Sequence, residues 1–147
     1  MSTRRGGVLA GVQDTRGGRR ALEWAWEEAL LRDTSLEVLD VVADDSLRDD
    51  AEAGLVRMVQ TARAHHERAP EVVTEVVVGD PVEVLVARSS AVALLVVGSH
   101  GVSGILHAVQ PASSDALSRL ADCPVVVVPS PSPAPMPSRA PEPEVLP

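Results

Sequence analysis

Five runs of aliphatic, largely β-branched residues punctuate the chain, at Gly7–Val12, Leu36–Val42, Val72–Val78, Leu94–Val97 and Val125–Val128. Runs that are apolar at nearly every position, instead of every second one, predict strands covered on both faces, as in a parallel sheet. Between them, apolar residues recur at helical spacing over Arg19–Arg32, Asp49–Arg68, Pro81–Ser89 and Ala112–Ala121. In the first of these segments Leu22, Trp26, Ala29 and Leu30 share a face, which predicts Trp26 in the core and Trp24 partly exposed. Pro81 and Pro111 suit a first helical position, where no N–H is needed. Strands alternating with helices give an α/β fold, an open doubly wound parallel sheet with right-handed crossovers. After Val128 the pattern stops at PSPSPAPMPSRAPEPEVLP, whose prolines fit neither a sheet nor a helix interior. The chain is therefore divided into a domain over residues 1–129 and a Pro-rich disordered or polyproline-like tail over 130–147.

Composition narrows the function classes. A length of 147 residues with 45% hydrophobic content suits one domain. A formal charge of −8 argues against a nucleic-acid groove or a docking face for anionic lipid, because both require clustered positive charge. No apolar run reaches the roughly 20 residues needed to span a bilayer, so a soluble, cytoplasmic protein is expected. The single cysteine, Cys123, precedes Pro124 at the start of an apolar strand and reads as a small core residue suited to a reducing compartment. All basic residues are arginines, and Lys, Asn, Phe and Tyr are absent, a bias expected of a GC-rich genome.

In an open sheet of this kind ligands bind beyond the C-terminal strand ends. Two loops lie there: Gln13–Gly18 after the first strand, and the glycine-rich turn carrying Gly98, Gly101 and Gly104 after the fourth. Glycines let backbone N–H groups approach a phosphate, although three in seven residues also simply permit tight turns. The segments ALEWAWEEA, VVVGDPVEVLVARSS, VVGSHG and CPVVVV together resemble the universal stress protein family over Gly7–Pro129. That resemblance implies a Rossmann-like, adenine-nucleotide-hydrolase-like sheet in the order 3-2-1-4-5 and a homodimer through the last strand, Val125–Val128.

It also implies, for one branch of the family, ATP held by a motif of Gly, two residues, Gly, nine residues, Gly and Ser or Thr. Gly98 and Gly101 match the first two glycines, but the third falls on Pro111 and the hydroxyl position on Ala112. Proline lacks the N–H and alanine the hydroxyl. Two donors worth about 1.5–3 kcal/mol each toward a charged group are thus missing, which predicts ATP binding weakened by roughly 10²-fold or more. Asp115, in the same first turn, stabilises the helix but repels a triphosphate. The first loop departs as well: relatives that bind ATP usually end this strand with Asp, whereas here Gln13 takes that place and Asp14 follows, pointing the other way. The candidate nucleotide contacts are Gln13, Asp14, Thr15, Val42, Gly98, His100 at the pocket rim, Gly101, and the amides of Ser113 and Ser114. Magnesium is expected only with bound ATP.

Other chemistry has less support. GSHGVSG lacks the Gly-x-Ser-x-Gly arrangement that exposes a nucleophile. His65, His66, His100 and His107 lack paired metal-ligand spacing. Arg16, Arg19 and Arg20 are the cations nearest the first loop and read as a solvated helix start. With no base or cationic stabiliser identifiable at the loop, an ATP-hydrolysing enzyme ranks third. The expected function is a non-enzymatic stress-response module, either with a lapsed pocket and acting through dimerisation and protein partners, or nucleotide-responsive.

Overall fold

Successive side chains of a strand leave on opposite faces, and the strand runs are largely apolar on both. The Val72–Val78 run, expected to be covered on both faces, nevertheless leaves Val73, Thr74, Glu75 and Val78 exposed, because it stands at the sheet edge. The computed structural model describes residues 6–98 and 113–129. In chain order the elements are β1 (Val8–Gly11), α1 (Arg16–Arg32), β2 (Leu36–Val42), a 3-10 turn (Asp45–Leu47), α2 (Arg48–His65), β3 (Val72–Val78), α3 (Pro81–Ser89), β4 (Leu94–Gly98), α4 (Ser113–Leu120) and β5 (Val125–Val128). The strands form one all-parallel sheet in the order β3-β2-β1-β4-β5. The predicted fold class and strand order are thus the observed ones.

Two separate apolar clusters follow from the alternation. Val8, Ala10, Val38 and Val96 pack on one face against Leu22, Trp26 and Met58 of α1 and α2. Leu9, Leu39, Leu95 and Val97 pack on the other against Leu85 of α3 and Leu117 of α4. Trp26 is fully enclosed while Trp24 is exposed, as the helical spacing requires. Cys123 packs half-buried against the second cluster, its thiol donating to the carbonyl of Pro124 at 3.4 Å.

Element ends show where local signals yield to packing. Helix α1 begins three residues before the expected start, because Thr15 is extended and accepts a hydrogen bond from the Gly18 N–H at 3.0 Å. Helix α2 stops at His65, short of the expected Arg68, because His66 turns to extended backbone and stacks on Trp26. Helix α3 has its expected bounds: Pro81 stands at the start and the Asp80 carboxylate accepts from the Glu83 N–H at 2.9 Å. Pro111, the glycine turn past Gly98 and the tail lie outside the described residues.

Candidate functional site

Because all five strands are parallel, their C-terminal ends open on one side of the sheet. β1 delivers Gln13, Asp14 and Thr15 there, β2 delivers Val42, and β4 delivers Gly98. The first loop is tightly wound: the Thr15 N–H reaches the Gln13 carbonyl at 2.7 Å, and Thr15 caps α1. A Cβ on Gly18 would stand 1.8 Å from that same carbonyl oxygen, so only glycine lets α1 start this close to the strand end.

Asp14 is turned into the protein's own framework. Its Oδ1 accepts from Arg19 at 2.7 Å and its Oδ2 from Arg57 of α2 at 3.2 Å. Gly54 leaves room for the approach, since a Cβ there would meet the Asp14 Cβ at 3.1 Å. The first-loop cations are therefore not confined to Arg16, Arg19 and Arg20, as the local sequence suggested. Arg57 arrives from 43 residues away.

The neighbouring connections add negative charge that the sequence reading did not count. Asp44 caps the 3-10 turn by accepting from the backbone N–H of Ser46 at 2.9 Å and from the Ser46 hydroxyl. Those two bonds, the hydroxyl's first, hold its carboxyl below the usual carboxylate range. Asp45 pairs with Arg48 at 2.8 Å, and Asp80 is occupied in capping α3. Four carboxylates, of Asp14, Asp44, Asp45 and Asp80, thus follow the ends of β1, β2 and β3, each engaged within the chain. The adjacent aspartates in VVADDSL were the available signal.

Of the remaining candidates, Val42 is buried and its carbonyl already accepts from the Gly79 N–H at 3.0 Å. Gly98 is buried at the end of β4, opposite Val128 of β5. Ser113 and Ser114 open α4, while His100, Gly101 and Ala112 lie outside the described residues. The structure therefore gathers Gln13, Asp14, Thr15, Val42 and Gly98 at one end of the sheet, with Gln13 the polar side chain of that set for which no bond within the chain is described.

The matched span decides the family. The pattern of the universal stress protein family runs over residues 6–129, nearly the whole described chain. The chain belongs to the universal stress protein family. Among curated universal stress proteins, it is similar to Rv3134c of Mycobacterium tuberculosis (strain ATCC 25618 / H37Rv), 31% identical over 128 residues, and to Rv2028c of the same strain, 28% identical over 131 residues. Both alignments take in 82% of this chain but 47% of the relative, so the chain spans about half the length of these curated relatives. Among solved structures it resembles a universal stress protein in complex with cAMP, with TM-score 0.69, 22% identity, and 87% and 100% of the two chains covered. It also resembles a universal stress family protein from Arabidopsis thaliana with AMP bound, with TM-score 0.61, 20% identity, and 87% and 95% covered. Among the described residues, no helix of this universal stress protein is long and apolar enough to cross a membrane.

Two side chains gain meaning only from the folded chain. Asp40 interrupts the apolar run of β2 and is 4% exposed, and its Oδ1 has no hydrogen-bond partner among the described residues. Burial pushes its carboxyl up to about 7. His66 comes within 3.4 and 3.5 Å of Glu23 and Glu27 on α1, although the histidine spacing predicted no metal set.

Proposed function

We propose that this universal stress protein is a non-enzymatic regulatory or protective module that binds ATP weakly or not at all and acts through a homodimer and protein partners. The observation that carries this reading is the commitment of the first-loop side chains: Asp14 to Arg19 and Arg57, and Thr15 to the cap of α1. Asp44, Asp45 and Asp80 in the connections after β2 and β3 add negative charge at the same end of the sheet, which disfavours a triphosphate there. Pro111 and Ala112 add to this, because they lack the N–H and the hydroxyl that the family's third glycine and its Ser or Thr supply. On this reading the described first-loop side chains, already engaged within the chain, are poorly disposed to hold ATP with magnesium.

A nucleotide-responsive role is the second reading. It is favoured by relatives of this fold solved with cAMP or AMP, ligands with a single phosphate and less charge to place beside the aspartates. Gln13 is then the side chain left to meet the nucleoside.

Calorimetry on the full chain separates the two. With Mg-ATP the expected Kd is about 100 μM or weaker. Pro111→Gly with Ala112→Ser should tighten it at least tenfold, since the substitutions return the N–H and the hydroxyl of the family's motif. Low-micromolar ATP binding by the natural chain, or no gain in the double variant, overturns the reading. Low-micromolar binding of AMP or cAMP alongside weak ATP selects the second one.

A further inference from the structure

Away from the strand ends, α1 and the end of α2 bring together two carboxylates and an imidazole. Glu23 and Glu27 stand four residues apart on α1. Like charges at that spacing repel and destabilise a helix unless something between them is positive. Facing them is His66, the first residue after α2, extended at φ −127° and ψ 145°. Its ring is fixed on two sides. It stacks on Trp26 at 5.7 Å with planes 27° apart, and its Nδ1 lies 2.9 Å from the Ala62 carbonyl oxygen. Nδ1 must donate there, so in the neutral ring the lone pair sits on Nε2. A histidine tied through one nitrogen to a backbone carbonyl is the usual arrangement behind a metal-ligating imidazole.

Nε2 is 3.4 Å from Glu23 Oε1 and 3.5 Å from Glu27 Oε2, and one donor atom of each of the three residues lies within 4.8 Å of the others. A charge-assisted N–H···O bond is shorter, about 2.7–2.9 Å. Donor atoms bound at about 2.0–2.1 Å around a tetrahedral ion are separated by about 3.3–3.4 Å, close to the spacing seen. His65 stands beside the set, its Nδ1 3.3 Å from the other oxygen of Glu23. We propose that Glu23, Glu27 and His66 form a binding site for a divalent cation of the zinc class that clasps α1 to the α2–β3 connection. His65 supplies a fourth ligand or orients Glu23. Two carboxylates match the charge of the ion, and a mixed N/O set of this size suits zinc better than calcium or magnesium, which take six or more oxygens or retain several waters.

The proposal is independent of the strand-end site. Its test is calorimetry of zinc into the untagged full chain without nucleotide, with visible absorption of the cobalt-substituted protein as a second readout. One saturable site with a Kd on the order of 10 μM or tighter is expected. His66→Gln and Glu27→Gln should each weaken it at least tenfold and abolish the tetrahedral cobalt bands, with Glu28→Gln unchanged. Glu27 is 66% exposed, so its variant folds and decides the matter even if His66→Gln does not. Absence of saturable zinc binding, or zinc affinity unaltered by Glu27→Gln, overturns the proposal. The second outcome would assign the ion to other histidines or to Cys123.

Discussion

A carboxyl sealed in an apolar core resists ionisation, and Asp40 is such a group. Its neighbours on the same face of β2 are Val38 and Val42, both in the cluster beneath α1 and α2. With its value raised by burial from 3.8 to about 7, the folded chain keeps a proton that the unfolded chain releases. Folded stability therefore falls as pH rises from about 4 to 7 and is level above that. The full linkage is on the order of 4 kcal/mol. Asp40→Val, which removes the titrating group, should raise Tm by at least about 5 °C at pH 8 and by much less at pH 4.5. A gap that stays constant between the two pH values in thermal unfolding would show that Asp40 is ionised or paired in the fold. The run LEVLDVV displays the aspartate openly. Its burial follows from the covering of both faces expected of that run; what was not legible is that its Oδ1 finds no partner among the described residues, because that depends on which side chains pack beside it.

At the scale of elements, the end of α1 is closed by a left-handed residue that is not glycine. Asp33 has φ 56° and ψ 52°, its N–H bonding the Leu30 carbonyl at 3.1 Å while the Thr34 N–H bonds that of Ala29 at 3.0 Å. This pair of bonds satisfies two of the helix's final carbonyls, but the conformation strains a side-chain-bearing residue, and the carboxylate meets the negative end of the helix dipole. Asp33→Gly should stabilise the protein by about 0.5–1 kcal/mol, raising Tm by roughly 2–5 °C. A lower Tm would mean that the Asp33 carboxylate makes a compensating contact. The sequence placed this helix end correctly at Arg32 and missed its start, since the cap rests on the Thr15 hydroxyl and on a glycine three residues later. At α2 the error ran the other way: Arg63 to Arg68 carries no breaker before Pro70, and the helix ends at His65, where the next ring leaves for Trp26.

At the scale of the whole molecule the two sheet edges differ. β3 is guarded by charge, Arg88 bonding Glu75 at 2.9 Å and Glu37 of β2 at 2.9 Å, a device that discourages pairing with another chain. β5 is four valines, Val125 to Val127 only half-buried. We expect a two-fold dimer through β5. Light scattering at micromolar concentration should give twice the chain mass, and Val126→Lys should give a folded single chain by circular dichroism. A single-chain mass for the natural protein would remove the dimer from the proposed function.

The local pattern determined the alternation of strands and helices, because a buried parallel strand and a one-sided helix each impose their own period on the chain. It also exposed the departures at Pro111 and Ala112, which depend on residue identity alone. Only the tertiary structure decided which side chains meet. Asp14 is spent on Arg57, Glu23 and Glu27 stand against His66, and the Asp40 Oδ1 finds no partner among the described residues. The partners in the first two sets are separated by about 40 residues. Periodicity states which face a side chain leaves from; whether that face meets water, a cation or another helix depends on how the layers pack.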